Sequence, residues 1–316
     1  MSIIQIKNLS KNFGRRTAVN DISFDIEAGS LFGFIGPNGA GKTTTIRVLT
    51  TLLKPSAGQV LVDGHSVVKQ PREVRKVMGY MPDFFGVYND MTVWEYLDFF
   101  CGCYEIEFNQ RKSLISDLLE LVDLSKRHDD YVDSLSRGMK QRLSLARSLV
   151  HDPKVLVLDE PASGLDPRAR VEFRELLVEL RRLNKTIFFS SHILSDIAEI
   201  CNQVGIVEQG NLISVGHIDT LKRQLRETHH IRLRVMGDTV ERAKSILATS
   251  QGVGEVEADP ASDGDWDIIA EFSGDKPAVT TLLKQLVLAD VPILSFAAET
   301  DSLEDVFMKL TEGGIL

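Results

Sequence analysis

Residues 36–44 read GPNGAGKTT; they follow the apolar run LFGFI (31–35) and precede the helical pattern TIRVLTTLL (45–53). The stretch fits G-x-x-x-x-G-K-[ST], and a strand before it with a helix after it supplies the context that separates this pattern from an ordinary glycine turn. Glycines let the backbone wrap so that consecutive N–H groups, from Gly39 through Thr44, aim at phosphate oxygens, and the helix N-terminus adds its positive end. Gly36, Pro37, Asn38, Gly39, Ala40, Gly41, Lys42, Thr43 and Thr44 are therefore candidate phosphate-binding residues. Lys42 is suited to neutralise β- and γ-phosphates. Thr43 is suited to offer its hydroxyl to Mg²⁺, a hard cation that takes few protein ligands.

The stretch KVLVLDEPASGLDP (154–167) supplies the second half of such a site. An apolar strand ending in two carboxylates puts Asp159 and Glu160 at the strand's C-terminal edge, where ligands bind in α/β sheets. Asp159 is suited to hold Mg²⁺ and its water shell, and Glu160 to polarise an attacking water as general base. Two acids at a strand end also serve to cap a following turn; the phosphate loop upstream tips the reading toward catalysis.

Around these motifs the chain alternates. KVLVLDE and KTIFFSS are apolar runs separated by the helical pattern RARVEFRELLVELRRL, as expected of buried parallel strands joined by a crossover helix. Residues 88–152 turn helical through TVWEYLDFFCGC, NQRKSLISDLLELVDL and the segment after LSRG, and read as a helical subdomain within an α/β domain. Past residue 217 the order becomes β-α-β-β-α-β, the split-βαβ arrangement of a small ferredoxin-like α+β domain. The expected division is a first domain over 1–217, a linker helix over 218–228 and an α+β domain over 229–316, ending in the helix SLEDVFMKL (302–310).

A chain of 316 residues, 43 % hydrophobic and 26 % charged, is long for one core and ordinary for a globular protein. No stretch approaches the roughly 18 to 20 apolar residues that cross a bilayer, and the N-terminus lacks the basic-then-apolar order of a secretory signal. The expectation is a cytoplasmic chain, held at a membrane only by a partner. A net charge of -9 argues against a nucleic acid partner, whose affinity would come from Lys and Arg neutralising phosphates. Cys101, Cys103 and Cys201 form no disulfide framework, and without further ligands near it the CGC pair, Cys101 and Cys103, reads as buried thiols. His229 and His230 read as surface residues for the same lack of partners.

Residues 135–142, LSRGMKQR, open a helix with Ser136 at the N-cap, a bare Gly138 and a basic tail, yet nothing nearby in the sequence supplies a ligand for them. Together with the two stretches above, this order of motifs resembles the nucleotide-binding domain of ATP-binding cassette proteins over about the first 215 residues, and LSRGMKQR is similar to that family's signature. The resemblance implies a P-loop NTPase fold with the family's helical subdomain, binding ATP and Mg²⁺. It implies a head-to-tail dimer in which Ser136 and the N–H groups around Gly138 of one copy cap the γ-phosphate of ATP held by the other. By the same resemblance His192, in SSH (190–192), is similar to the switch histidine that acts with Glu160 and Lys42 on the γ-phosphate. Asp166, in SGLD (163–166), is similar to the residue that contacts the partner's phosphate loop, and Phe13, in KNFGRRTAV, to the aromatic that stacks on adenine.

This chain departs from the commoner signature LSGGQ in having Arg137 and Met139. In GYMPDFFG (79–86) Asp83 stands where the family usually has glutamine; it either joins Thr43 and Asp159 on Mg²⁺ or points away, and coordination is the reading adopted. Of the aromatics that follow, Phe84, Phe85, Tyr88 and Trp94 read as core, or as a surface for a helix of a membrane partner.

Sustained heptads, a mark of DNA-acting cassette proteins, are missing between the phosphate loop and the signature. The translation-acting members carry two cassettes in one chain. The βαββαβ tail resembles that of ATP-binding subunits working with two-component export permeases. The expectation is therefore the ATP-binding and hydrolysing subunit of a transporter, an ATPase paired with a second copy of itself and with a separate membrane-spanning permease, peripheral on the inner face of the plasma membrane. The alternative is a soluble regulatory or scaffolding dimer without transport.

Overall fold

The computed structural model describes residues 2–83, 86, 90–224, 229–261 and 264–299. The chain divides at Ile218 into two units. The first opens with β1 (Ser2–Phe13) and β2 (Arg16–Glu27), an antiparallel pair whose side chains alternate between buried and exposed along much of its length, as a half-covered sheet requires. There follow β3 (Leu31–Ile35), α1 (Lys42–Leu49), β4 (Ala57–Val62), β5 (His65–Ser66), α2 (Pro71–Val77) and β6 (Met78–Met81). Three helices come next, α3 (Val93–Cys103), α4 (Phe108–Leu121) and α5 (Arg137–Leu149). The unit is completed by β7 (Val155–Leu158), α6 (Pro167–Arg182), β8 (Thr186–Ser191), α7 (Leu194–Ile200), β9 (Gln203–Glu208) and β10 (Asn211–His217), after which α8 (Ile218–Gln224) begins.

Two sheets result, β2-β1-β4-β5 and β10-β9-β3-β8-β7-β6. Every residue of β3, β7 and β8 is buried, so these strands must lie in a sheet covered on both faces. Phe24, Phe32, Phe34 and Phe188 stack there with ring centroids 5.3–6.5 Å apart. Burying each such ring contributes about 1.5–3 kcal/mol, and the cluster pins β3 to β8. Parallel register then does the positioning: Ile35 pairs with Ser191, Leu158 with Phe189, and Met81 with Leu158. Gly36, Asp159, His192 and the Pro82–Asp83 turn consequently emerge at one edge, the C-terminal one.

The helical segment packs α3, α4 and α5 through Tyr96, Leu97, Ile115, Leu119, Leu143 and Leu145, all buried. Thr92 and Glu95 form a reciprocal capping box that fixes the start of α3. The Arg147 guanidinium donates to the Tyr80 carbonyl at 3.3 Å and lies over the Phe100 ring, joining α5 to β6 and α3. The three cysteines differ: Cys101 is buried as expected, Cys201 is half-buried, and Cys103 is exposed, because the last turn of α3 carries it off the buried face. Trp94 is half-buried, while Phe84, Phe85, Tyr88 and the segment SLEDVFMKL lie outside the described residues.

The second unit runs β11 (His229–Met236), α9 (Val240–Thr249), β12 (Val253–Pro260), β13 (Asp265–Phe272), α10 (Lys276–Leu288) and β14 (Ile293–Glu299), with sheet order β12-β13-β11-β14, all neighbours antiparallel. This is a split-βαβ sheet. Ile231, Leu233, Val235, Ile268, Ala270 and Phe272 alternate onto the face that packs with Leu247, Leu282 and Leu286. On these strands' other face Arg234 makes a bidentate pair with Asp267, both bonds 2.7 Å, which holds the Asp267 carboxyl below the usual range.

Candidate active site

The phosphate loop leaves β3 under two steric constraints. A Cβ on Gly36 would sit 2.1 Å from the Val207 carbonyl oxygen, so a side chain there would push β3 off β9. Gly41 has φ 101° and caps α1 in the left-handed region, which an L side chain rarely adopts. Lys42, 5 % exposed, donates to the carbonyls of Gly36 (2.7 Å) and Pro37 (3.2 Å), so its ammonium is held inside the loop's curl.

The acids arrive from β7 and are steadied by β8. Asp159 is buried; it accepts from Ser190 Oγ at 2.8 Å and from the Thr43 hydroxyl at 3.3 Å. Burial pushes its carboxyl up, the two hydroxyl bonds pull it down, and the charges of Asp83 and Glu160 push it up again. Glu160 sits in the left-handed region, φ 47°, at a cost of roughly 1–2 kcal/mol. Its amide donates to Ser190 Oγ at 2.9 Å. One of its carboxylate oxygens lies 3.3 Å from Lys42 Nζ and the other 2.5 Å from His192 Nδ1.

The cavity over the loop measures about 300 Å³ and is lined by Phe13, Asn38, Gly39, Gly41, Lys42, Thr43, Thr44 and Glu160, with Arg16 and Ala18. Phe13 is 49 % exposed, with Lys11 Nζ 5.1 Å from its ring centroid. Arg16 and Ser190 were not singled out in the sequence reading. Arg16 could have been found, since the two residues Gly14-Arg15 between Phe13 and Arg16 make a hairpin that sets Arg16 directly across from Phe13. Ser190 had no such signal, for its role is to reach across to another strand.

Ser136, Gly138, Asp166 and Asp83 do not line this cavity. Ser136 is the exposed N-cap of α5 and accepts from Met139 N at 3.3 Å; Asp166 is the exposed N-cap of α6 and accepts from Ala169 N at 2.9 Å. Asp83 is exposed just past β6. A wider cavity of about 770 Å³ along α6 and α7, bounded by paired charges such as Arg174 and Glu199, holds none of these residues.

A buried lysine in a glycine-rich loop, with a hydroxyl and two carboxylates at the same sheet edge, has the chemistry that a nucleoside triphosphate would need, and comparison with known proteins says to which family such a chain belongs. Residues 19–163 match the family model described as ABC transporter. The bacitracin transport ATP-binding protein BcrA of Bacillus licheniformis is 35 % identical over the whole chain and 99 % of its own length. The chain belongs to the ATP-binding cassette transporter family. The Nod factor export ATP-binding protein I of Ralstonia nicotianae is 33 % identical over 98 % of this chain and 94 % of its own. A solved ATP-binding subunit of an ABC transporter superposes with a TM-score of 0.65 at 27 % identity, covering 71 % of this chain and 93 % of that one.

The protein is thus a cassette ATP-binding subunit, an ATPase coupled to transport, and the reading as a regulatory dimer without transport is set aside. It binds ATP. Its relatives are subunits of transporter complexes, so a membrane partner is implied, and among the described residues no helix is long and apolar enough to cross a membrane.

Proposed function

We propose that two copies of this chain close head to tail on two Mg-ATP and thereby drive an export permease on the inner face of the plasma membrane. The ATP chemistry belongs to residues 1–217, ahead of the linker that begins with α8 (Ile218–Gln224) and the domain that follows it. In each pocket the Gly36–Thr44 loop wraps the phosphates, Lys42 neutralises the β- and γ-groups, and Phe13 stacks on adenine. The Thr43 hydroxyl and the Asp159 carboxylate, hard oxygens 3.3 Å apart, fit Mg²⁺, and Asp83, whose charge is felt at Asp159, would join them there; when bound, the ion would offset triphosphate charge.

Glu160 serves as general base. Lys42 and His192 each engage one of its carboxylate oxygens, and since a carboxylate only accepts, the His192 contact requires an Nδ1–H. Each oxygen keeps a second lone pair, enough to take a proton from the attacking water. The water oxygen then bonds to the γ-phosphorus as the bond to the β-phosphate oxygen breaks, leaving ADP and inorganic phosphate.

Gly138 carries the dimer reading. A Cβ there would meet Ala169 Cβ at 3.4 Å and Leu165 at 3.9 Å, ordinary contacts, and its φ is not in the left-handed region. Glycine in a helix costs about 1 kcal/mol relative to alanine, and among the described residues nothing asks for it. A bare backbone beside the exposed Ser136 hydroxyl suits a phosphate brought up from outside, on a second copy. Asp166 would meet that copy's phosphate loop.

The permease contact we assign to a groove of about 280 Å³ lined by Leu52, Arg75, Tyr80, Phe100, Tyr104 and Arg147, of which Leu52 is 60 % and Tyr104 40 % exposed. An amphipathic cytoplasmic helix fits such a mixed apolar and cationic lining. The outward direction rests on the relatives named for Nod factor export.

The test is Glu160→Gln, expected to bind ATP, to hydrolyse it at least about a hundredfold more slowly, and to accumulate in Mg-ATP as a species of twice the 35.2 kDa chain mass by size exclusion with light scattering. A single-chain mass at saturating ATP, with or without a permease, overturns the reading.

A further inference from the structure

Arg137 sits in the first turn of α5, where the helix dipole disfavours a cation. It is exposed and, among the described residues, makes no ion pair that would offset this. Its guanidinium is laid instead on Gly164: a Cβ on that glycine would be 2.3 Å from Arg137 Cζ, 2.4 Å from Nη1 and 2.6 Å from Nη2. Near-equal distances to three atoms of a planar group mean that the glycine faces the plane and not its edge. A weakly hydrated guanidinium packs in this way; an ammonium does not.

The contact has neighbours on both sides. One residue on, Gly138 faces Leu165 and Ala169, and Leu165 is buried. The 163–166 loop is itself tied back to the base, since Ser163 N donates to the Glu160 carbonyl at 3.0 Å and Leu165 N to that of Ala162 at 3.3 Å. Its far end is fixed by Asp166 capping α6. Arg137 therefore lies between the tip of α5 and a loop that starts at Glu160.

We infer that Arg137 is a positioning residue, a strut that clamps the Ser136–Gly138 tip and the 163–166 loop into one block. This rests on the dimer reading, in which both parts of the block are offered to the second copy's nucleotide. Setting them at a fixed spacing lets the two engage together, and it ties that engagement to the turn carrying Glu160 of the first pocket. A side chain at position 164 would displace the guanidinium, which gives Gly164 a packing role besides its φ of 66°.

Two measurements on the full chain separate the strut from the reading beneath it. Hydrogen exchange without nucleotide should show the Ser163 and Leu165 amides exchanging roughly fivefold faster in Arg137→Ala and in Arg137→Lys, because neither keeps the planar contact. Unchanged protection in Arg137→Ala, or full protection in Arg137→Lys, overturns the strut. In the Glu160→Gln background, Arg137→Ala should raise the ATP concentration for half-maximal dimer about fivefold while binding of a fluorescent ATP analogue to the single chain is unmoved. Equal ATP dependence with and without Arg137 removes the positioning role. Failure of Glu160→Gln itself to dimerise, with the exchange result intact, leaves the strut standing and sinks the dimer.

Discussion

The phosphate-loop pocket and the tip of α5 are both glycine-bearing helix starts, but their residues are used differently. In the pocket Lys42, Asp159 and Glu160 are already answered from within the chain: Lys42 by two carbonyls and Glu160, Asp159 by Ser190 and Thr43, Glu160 by His192. At the tip, Ser136 is exposed with only a local cap on its hydroxyl, and Gly138, part-exposed beside it, meets only ordinary contacts from Leu165 and Ala169 that do not call for glycine. A site complete inside one chain responds to mutation in both stability and activity. A surface made for a second chain should respond in activity alone.

Lys42→Ala gives the largest effect on the inward side. It removes a buried cation and leaves Glu160 beside Asp159 without its compensating charge, a loss of the kind that costs about 3–5 kcal/mol when a buried pair is broken. ATP turnover should fall at least about a thousandfold, with a lowered melting temperature, measured by phosphate release and calorimetry. Wild-type turnover would remove Lys42 from the phosphate site.

Gly138→Asp tests the outward side. An aspartate in the first turn of α5 suits the helix dipole and adds about 0.3–1 kcal/mol to the helix, so the melting temperature should hold or rise. A carboxylate presented to a partner's γ-phosphate should nevertheless lower turnover about a hundredfold. Gly138→Ala, whose methyl meets only ordinary contacts, should keep stability as well and lose less activity. If Gly138→Asp lowers stability and turnover together, the tip belongs to the chain's own architecture and the contrast with the pocket disappears.

The two regions also differed in how far sequence alone could read them. The pocket was legible because its strands are apolar on both faces and its motif residues follow directly on β3, β7 and β8, so period and position together place them at one edge. Strand order was not legible: Leu31 pairs with Ile187 through a register that no local pattern encodes. The hydroxyl of Ser190, which organises both acids, belongs to the same non-local information. The thiol of Cys103 was misjudged for a smaller reason, since two residues along a helix from buried Cys101 is a rotation of about 200° and brings the side chain round to solvent.

The smallest expected effect falls at Asp83, which lies beyond the cavity lining yet is felt inside it. Its charge is one of the causes that push the Asp159 carboxyl up. Asp83→Gln takes that charge away, so Asp159 should give up its proton more readily, and the acid limb of ATP turnover should move to lower pH. If the carboxylate also shares in holding Mg²⁺, the same variant should need roughly threefold more Mg²⁺ for half-maximal turnover at pH 7. The two shifts run in opposite senses for activity, one easing the acid side and the other weakening the metal, so a Mg²⁺ titration at two pH values resolves them. An acid limb that moves while the Mg²⁺ requirement stays put would leave Asp83 as a neighbouring charge only. Neither moving would detach it from the site, and the inward region would then end at Asp159.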